Sequence, residues 1–132
     1  MMKSELIKRV EDVIKRQMDF KEEVKDFKEE LENFKAELED ETNAIRIADL
    51  VSSSIERTDK VIKLEKESRK VARDSYAEMA ELINLTLTDN DVKDEYETIE
   101  DFFIGIQRRV DESVYEIKEL EDLINEIGDM EV

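Results

Sequence analysis

Apolar residues recur at alternating gaps of three and four along most of this chain, which is the seven-residue repeat of packed helices. Two runs, near the start and near the end, keep this spacing well. The first run contains Leu6, Val10, Val13, Phe20, Val24, Phe27, Leu31, Phe34 and Leu38. The last contains Val92, Tyr96, Ile99, Phe103, Ile106, Val110, Ile117, Leu120, Ile124 and Ile127. This spacing predicts a coiled coil or a slender helical bundle.

Two short segments rich in turn-forming residues divide the repeat. The chain has no proline and only two glycines, so helix is favoured nearly everywhere else. Turn-forming residues cluster at positions 42–43 and 88–91. A fresh apolar run begins after the second cluster. A repeat that continues from Leu38 to Ile45 also permits one unbroken helix through the first cluster, and this alternative stays open.

The fold class that follows is all-α, an elongated antiparallel three-helix bundle or coiled coil in which the chain runs up, down and up. Ser4 is predicted to cap the start of the first helix and Gly128 the end of the third. The predicted helices cover residues 4–40, 44–87 and 91–127. Residues 1–132 are expected to form a single helical-bundle domain.

Two adjacent apolar stripes run along the predicted middle helix, as a helix packed between two partners requires. One stripe contains Ala48, Val51, Ile55, Ile62, Ala72, Tyr76, Met79 and Ile83. The other contains Ile47, Leu50, Val61, Leu64, Val71, Leu82 and Leu85. Both stripes are therefore expected to face the core.

Phenylalanine recurs on the first helix at Phe20, Phe27 and Phe34. A flat ring fits the narrow seam of a two-stranded parallel coil poorly, so these residues favour a core of three or four helices. The charges beside them leave self-association open, because two pairs have the spacing that links copies of a parallel dimer. These pairs are Glu23 with Lys28 and Glu30 with Lys35.

Composition excludes several kinds of chemistry. The chain has no cysteine and no histidine, which removes disulfides, thiolate nucleophiles, the usual zinc ligands and the usual general base. No stretch approaches the ~20 apolar residues of a membrane span, and the first residues lack the apolar run of a signal peptide. We therefore expect no cofactor, no bound metal, no membrane association and a cytoplasmic location.

Charge is distributed unevenly around the net value of -17. Such an acidic chain is not expected to bind nucleic acid or anionic membranes directly. Residues 1–42 carry 9 basic and 14 acidic side chains, residues 43–88 carry 8 of each, and residues 89–132 carry 4 and 16. The middle segment is thus the natural electrostatic partner of the last.

A cluster of basic side chains on the middle helix is the main candidate site. It contains Lys63, Lys66, Arg69, Lys70 and Arg73. Antiparallel packing predicts that three of these lysines face carboxylates of the third helix, which would make the cluster structural. The predicted pairs are Lys63 with Glu116, Lys66 with Glu112 and Lys70 with Asp111. The alternative is an anion-binding surface for a phosphate or an acidic peptide, which requires unpaired basic groups.

Acidic residues are dense between positions 89 and 101. Asp89, Asp91 and Glu100 fall at the first, third and twelfth places of a calcium-binding loop, but Asp94 stands where that loop requires glycine. Carboxylates also favour a helix N-terminus, which gives part of the cluster a structural explanation. Weak divalent-cation binding and docking of a basic partner are left open here.

The leading functional hypothesis is a non-catalytic interaction module, such as an adaptor, spacer, chaperone or assembly factor with a protein partner. Its surface is expected to include an exposed apolar strip on the third helix, formed by Phe102, Ile104, Val114 and Met130. One alternative is a magnesium-dependent all-helical nucleotide phosphohydrolase that uses carboxylate pairs such as Glu78 with Glu81 or Glu119 with Asp122. Another is an acidic decoy that mimics nucleic acid.

Overall fold

The computed structural model describes residues 1–130, and this part of the chain folds into three long helices that pack against one another. Helix α1 spans Lys3–Asp40, α2 spans Ala44–Thr88 and α3 spans Tyr96–Gly128. A 3₁₀ turn over Lys93–Glu95 precedes α3. No strand occurs within the described residues. The predicted all-α three-helix bundle is confirmed.

The connection between α1 and α2 lies at the first cluster of turn-forming residues, so the alternative of one unbroken helix is wrong. Asn43 caps α2, because its Oδ1 atom accepts hydrogen bonds from the backbone N–H groups of Ile45 at 3.0 Å and Arg46 at 3.1 Å. The Arg46 guanidinium also pairs with the Glu37 carboxylate across the turn. These contacts close the hairpin tightly.

The other predicted helix ends need correction. Met2 precedes α1 without a side-chain cap, and Ser4 lies inside the first turn. Gly128 lies in the last turn of α3 and has no positive φ, so it is not a left-handed cap. The third helix begins at Tyr96 instead of residue 91, because the preceding segment forms turns in which the Val92 N–H donates to the Asp89 carbonyl and the Glu95 N–H donates to the Val92 carbonyl.

Helices α1 and α3 run parallel and keep a constant register. Three lysines of α1, one in each seven-residue repeat, pair with three glutamates of α3, and every pair is separated by 91 residues. The pairs are Lys21 with Glu112, Lys28 with Glu119 and Lys35 with Glu126. Three of the four charges that suggested pairing between two copies of the chain, Lys28, Lys35 and Glu30, therefore have partners within one chain.

The core is divided into two clusters of buried apolar residues. One surrounds Phe20, Phe27 and Phe34, and the other surrounds Val10, Met79 and Ile106, so that they occupy opposite halves of the bundle. Gln17 lies between them on α1 and is 5% exposed. Its Nε2 donates to the Ile106 carbonyl at 3.4 Å, and its Oε1 has no partner within the described residues. Gln17 therefore forms a polar layer between the two clusters.

Candidate interaction surface

The first half of α2 carries apolar side chains on two opposite faces. Leu50, Val61 and Leu64 point inward and are buried. Along the opposite face runs a set of exposed apolar residues, which we call the outward strip. The outward strip consists of Ile45, Ala48, Val51, Ile55 and Ile62. Ile55 is 65% exposed and Ile62 is 46% exposed, so the prediction that this stripe faces the core along its whole length is wrong.

Cationic side chains of α2 cover the aromatic rings of α1 beside the buried apolar residues. The Arg57 guanidinium lies over the Phe34 ring, 4.0 Å from its centroid, and the Lys60 ammonium lies 4.8 Å from the centroid of the Phe27 ring. Both arrangements are cation–π contacts. The side of α2 that faces α1 thus carries buried apolar residues flanked by cationic groups, and the second apolar stripe lies on the opposite side of the helix, outside the bundle.

The buried face of α2 is wider near its C-terminal end. Met79 is fully buried there, Ile83 packs against the core, and Tyr76 meets Phe103 edge-on with ring centroids 5.9 Å apart. These residues belong to the same predicted stripe as Ile55. The stripe therefore faces the core at one end of α2 and faces outward at the other.

The basic cluster predicted from the sequence lies on the outer face of α2, and all five of its residues are exposed. We call it the basic belt: Lys63, Lys66, Arg69, Lys70 and Arg73. The three lysines make no ion pair with any of residues 1–130, and the two arginines pair only with Glu65 and Asp74 of their own helix.

The predicted pairing of these lysines with α3 is wrong. Glu112 and Glu116 pair with Lys21 instead, at 3.2 and 3.9 Å, because the register of α1 and α3 brings that lysine between them. Asp111 makes no ion pair with any of residues 1–130. The basic belt is consequently available to groups outside the bundle.

The outward strip and the basic belt form one continuous surface. An α-helix advances about 100° per residue, so the two sets fall in the same sector, about 120° wide, of α2. The strip extends for about 26 Å and the belt continues it to about 42 Å. Asp59 interrupts the strip, and Asp49 and Glu56 lie along its edge. The surface thus changes along the helix from apolar with acidic edges to strongly basic.

A groove lies between α1 and α3, away from the outer face of α2. It is an open groove of about 570 Å³, with Val24 and Tyr115 among its apolar lining. Lys21 and Lys28 along its edges pair with Glu112 and Glu119, while Lys25 and Asp111 make no ion pair with any of residues 1–130. Burial raises the pKa of the Glu116 carboxyl; the Lys21 ammonium lowers it, and the neighbouring Glu112 and Glu119 raise it further. The groove therefore offers few unpaired groups to a ligand.

The apolar strip predicted on α3 is only partly formed. Phe102, Ile104 and Val114 are exposed, but Met130 packs against the core near the end of the bundle. Sequence reasoning missed Ile55 and Ile62 as surface residues. The signal was present, because the first half of α2 is apolar on both sides, but only the packing of α1 shows which side is covered.

Several carboxylates of the candidate sites make internal contacts. Arg9 binds both carboxylates of the Glu78–Glu81 pair, at 2.6 and 3.2 Å, and Lys28 binds Glu119. Asp89 accepts a hydrogen bond from the Asp91 backbone in the turn before α3. Nowhere in residues 1–130 do three or more carboxylates lie close enough together to hold a metal ion.

Comparison with protein-family models, with curated proteins and with solved structures found no match. Among the helices of residues 1–130, none has the length and apolarity needed to cross a bilayer.

Proposed function

We propose that this chain is a non-catalytic interaction module that binds a protein partner through the outer face of α2. The observation that carries the proposal is the outward strip, a row of exposed aliphatic side chains on a helix whose opposite face already holds the bundle together. Exposed apolar side chains that share one face of a helix, as these do apart from the interruption at Asp59, are typical of protein interaction sites. A helix that is apolar on two faces suits a position between two packed neighbours, and the bundle provides one of them.

The proposed class includes adaptors, spacers, chaperones and assembly factors, because all of these bind protein partners through such a surface. Cytoplasmic location and the absence of catalysis stay predictions from the sequence. No specific observation favours the phosphohydrolase or the acidic decoy. The Glu78–Glu81 pair is bound by Arg9, and the acidic array that a nucleic-acid mimic would present is partly neutralised by the lysines of α1.

The test is a comparison of the proteins that immobilised variants retain from native lysate. We expect the full chain to retain at least one protein that Ile55→Asp/Ile62→Asp retains at least about tenfold less well, since a charge in an apolar contact is costly. Val114→Asp is the matched control, because Val114 is 60% exposed on α3 and lies outside the proposed surface. Circular dichroism establishes that each variant is folded. Identical retained sets for all three proteins would contradict the proposal.

A further inference from the structure

The basic belt continues the outward strip in the same sector of α2, so one bound helix spanning the strip also reaches the belt. A helix lying along both elements extends about 42 Å, which corresponds to roughly 28 residues. Its apolar residues would pack on Ile55 and Ile62. Its remaining residues would lie over five basic side chains, three of which have no ion pair within residues 1–130.

A second copy of this chain does not satisfy both parts of the surface. An antiparallel copy that stacks Ile45 of one chain on Ile62 of the other brings Asp49 beside the second copy's Glu56 and Asp59. Shifting the copies until acidic and basic halves meet places Ile55 against Lys66 instead. In a parallel pair, Asp59 meets Asp59 and Lys66 meets Lys66. Like charges and isoleucine–lysine contacts at these positions are unfavourable in helix pairs.

From this arrangement, and resting on the proposed function, we infer that the partner element is an amphipathic helix of another protein, apolar over one half and acidic over the other. The apolar half packs on the outward strip, where Asp49 and Glu56 favour basic residues at its edge. The acidic half lies on the basic belt, where lysine and arginine pair with its carboxylates. Apolar contact supplies most of the affinity, and the charge pattern sets the position of the helix and excludes basic helices.

Synthetic helical peptides of roughly 28 residues serve as probes. One carries leucine at the core positions of its seven-residue repeats over one half and glutamate over the other half, and its matched control has lysine in place of every glutamate of that half. Each peptide is made in both orders, since a bound helix runs either parallel or antiparallel to α2. Binding is measured by fluorescence anisotropy to the full chain, to Lys63→Glu/Lys66→Glu/Lys70→Glu and to Ile55→Ser/Ile62→Ser.

The expected result is that, in one order at least, the acidic peptide binds the full chain about tenfold or more tightly than its lysine control, because mismatched charges oppose binding. The Lys63→Glu/Lys66→Glu/Lys70→Glu variant should invert this preference. The Ile55→Ser/Ile62→Ser variant should bind both peptides more weakly, by a similar factor.

Three results would overturn the inference. Equal binding of acidic and basic peptides, with both weakened by Ile55→Ser/Ile62→Ser, would refute the acidic partner and leave the proposed function standing. Absence of binding by every peptide would refute the partner chemistry, while the retention experiment decides the proposed function separately. Sedimentation of the full chain as a dimer, with Ile55→Ser/Ile62→Ser a monomer, would assign the surface to a second copy.

Discussion

The phenylalanine side chains of α1 determine how wide the bundle interior is. Phe27 is 2% exposed, and cationic groups of α2 cover its ring and that of Phe34. Rings of this size fill the space between three helices but do not fit the seam between two. The same residues allowed the sequence to predict a bundle, because their repeat and their size are both visible without the structure.

Phe27→Ala is expected to lower the free energy of unfolding by about 3 to 5 kcal/mol, since it removes a buried aromatic ring and leaves a cavity. Denaturant titration measures the loss. The exposed Met18 on the same helix provides the control, and Met18→Ala should change stability by less than about 0.5 kcal/mol. A loss below about 1 kcal/mol for Phe27→Ala would mean that the ring does not pack in the core as described.

Gln17→Met is expected to stabilise the protein by about 1 kcal/mol. The thioether is close to the amide in size, and it removes a buried carbonyl oxygen that has no hydrogen-bond partner within residues 1–130. The substitution also loses the hydrogen bond that Nε2 donates to the Ile106 carbonyl, but this bond is long at 3.4 Å. Thermal and denaturant unfolding give the measurement. A destabilisation of more than about 1 kcal/mol would show that the amide is fully satisfied in the native protein.

At the scale of the helices, the register of the bundle is set by charges that repeat every seven residues. The pairing of Lys21, Lys28 and Lys35 with α3 fixes the register of α1 against α3. The basic belt makes no such pairs because it lies on the outer face of α2. Sequence patterns predicted the helices because these depend on local residues, and they located the Asn43 turn while leaving one unbroken helix open as an alternative. They did not predict which helix supplies the partners of the α3 carboxylates, because that depends on how three helices are arranged in space.

Lys28→Glu is expected to destabilise the protein by about 1 kcal/mol at low ionic strength, because it places like charges opposite each other in a partly exposed pair. Adding Glu119→Lys in the same chain should restore most of the loss, and high salt should reduce the effect. Denaturant titration of the two variants, with Lys66→Glu as the control on the outward face, measures this. If the second change fails to restore stability, the pair does not set the register.

Glu116 is expected to make stability depend on pH. Burial raises the pKa of its carboxyl in the folded state, so its favourable contribution is complete below the pKa of the unfolded chain and is lost as pH rises through the folded value. Glu116→Gln should therefore become more stable relative to the original protein as pH rises from about 4 to about 7. Unfolding titrations across this range measure the difference. A difference that does not change with pH would contradict the raised pKa.

For the molecule as a whole, the decisive feature is that α2 is apolar on two sides and the bundle covers one. The apolar residues of both sides could be read from the sequence, but their division into inner and outer could not, because it depends on which side of α2 packs against α1 and α3. The outer side joins the basic belt to form the one extended surface on which both functional proposals depend. Its residues should therefore contribute little to folding.

The most direct test is to compare the unfolding free energies of variants on the two sides of α2. Ile55→Ser/Ile62→Ser on the outer side should lose less than about 1 kcal/mol, because both side chains are exposed in the folded protein. Leu64→Ala on the inner side should lose about 2 to 5 kcal/mol, because it empties a fully buried position. A loss of about 3 kcal/mol or more from the outer pair would show that the outward strip is part of the core, and would contradict its assignment as a docking surface.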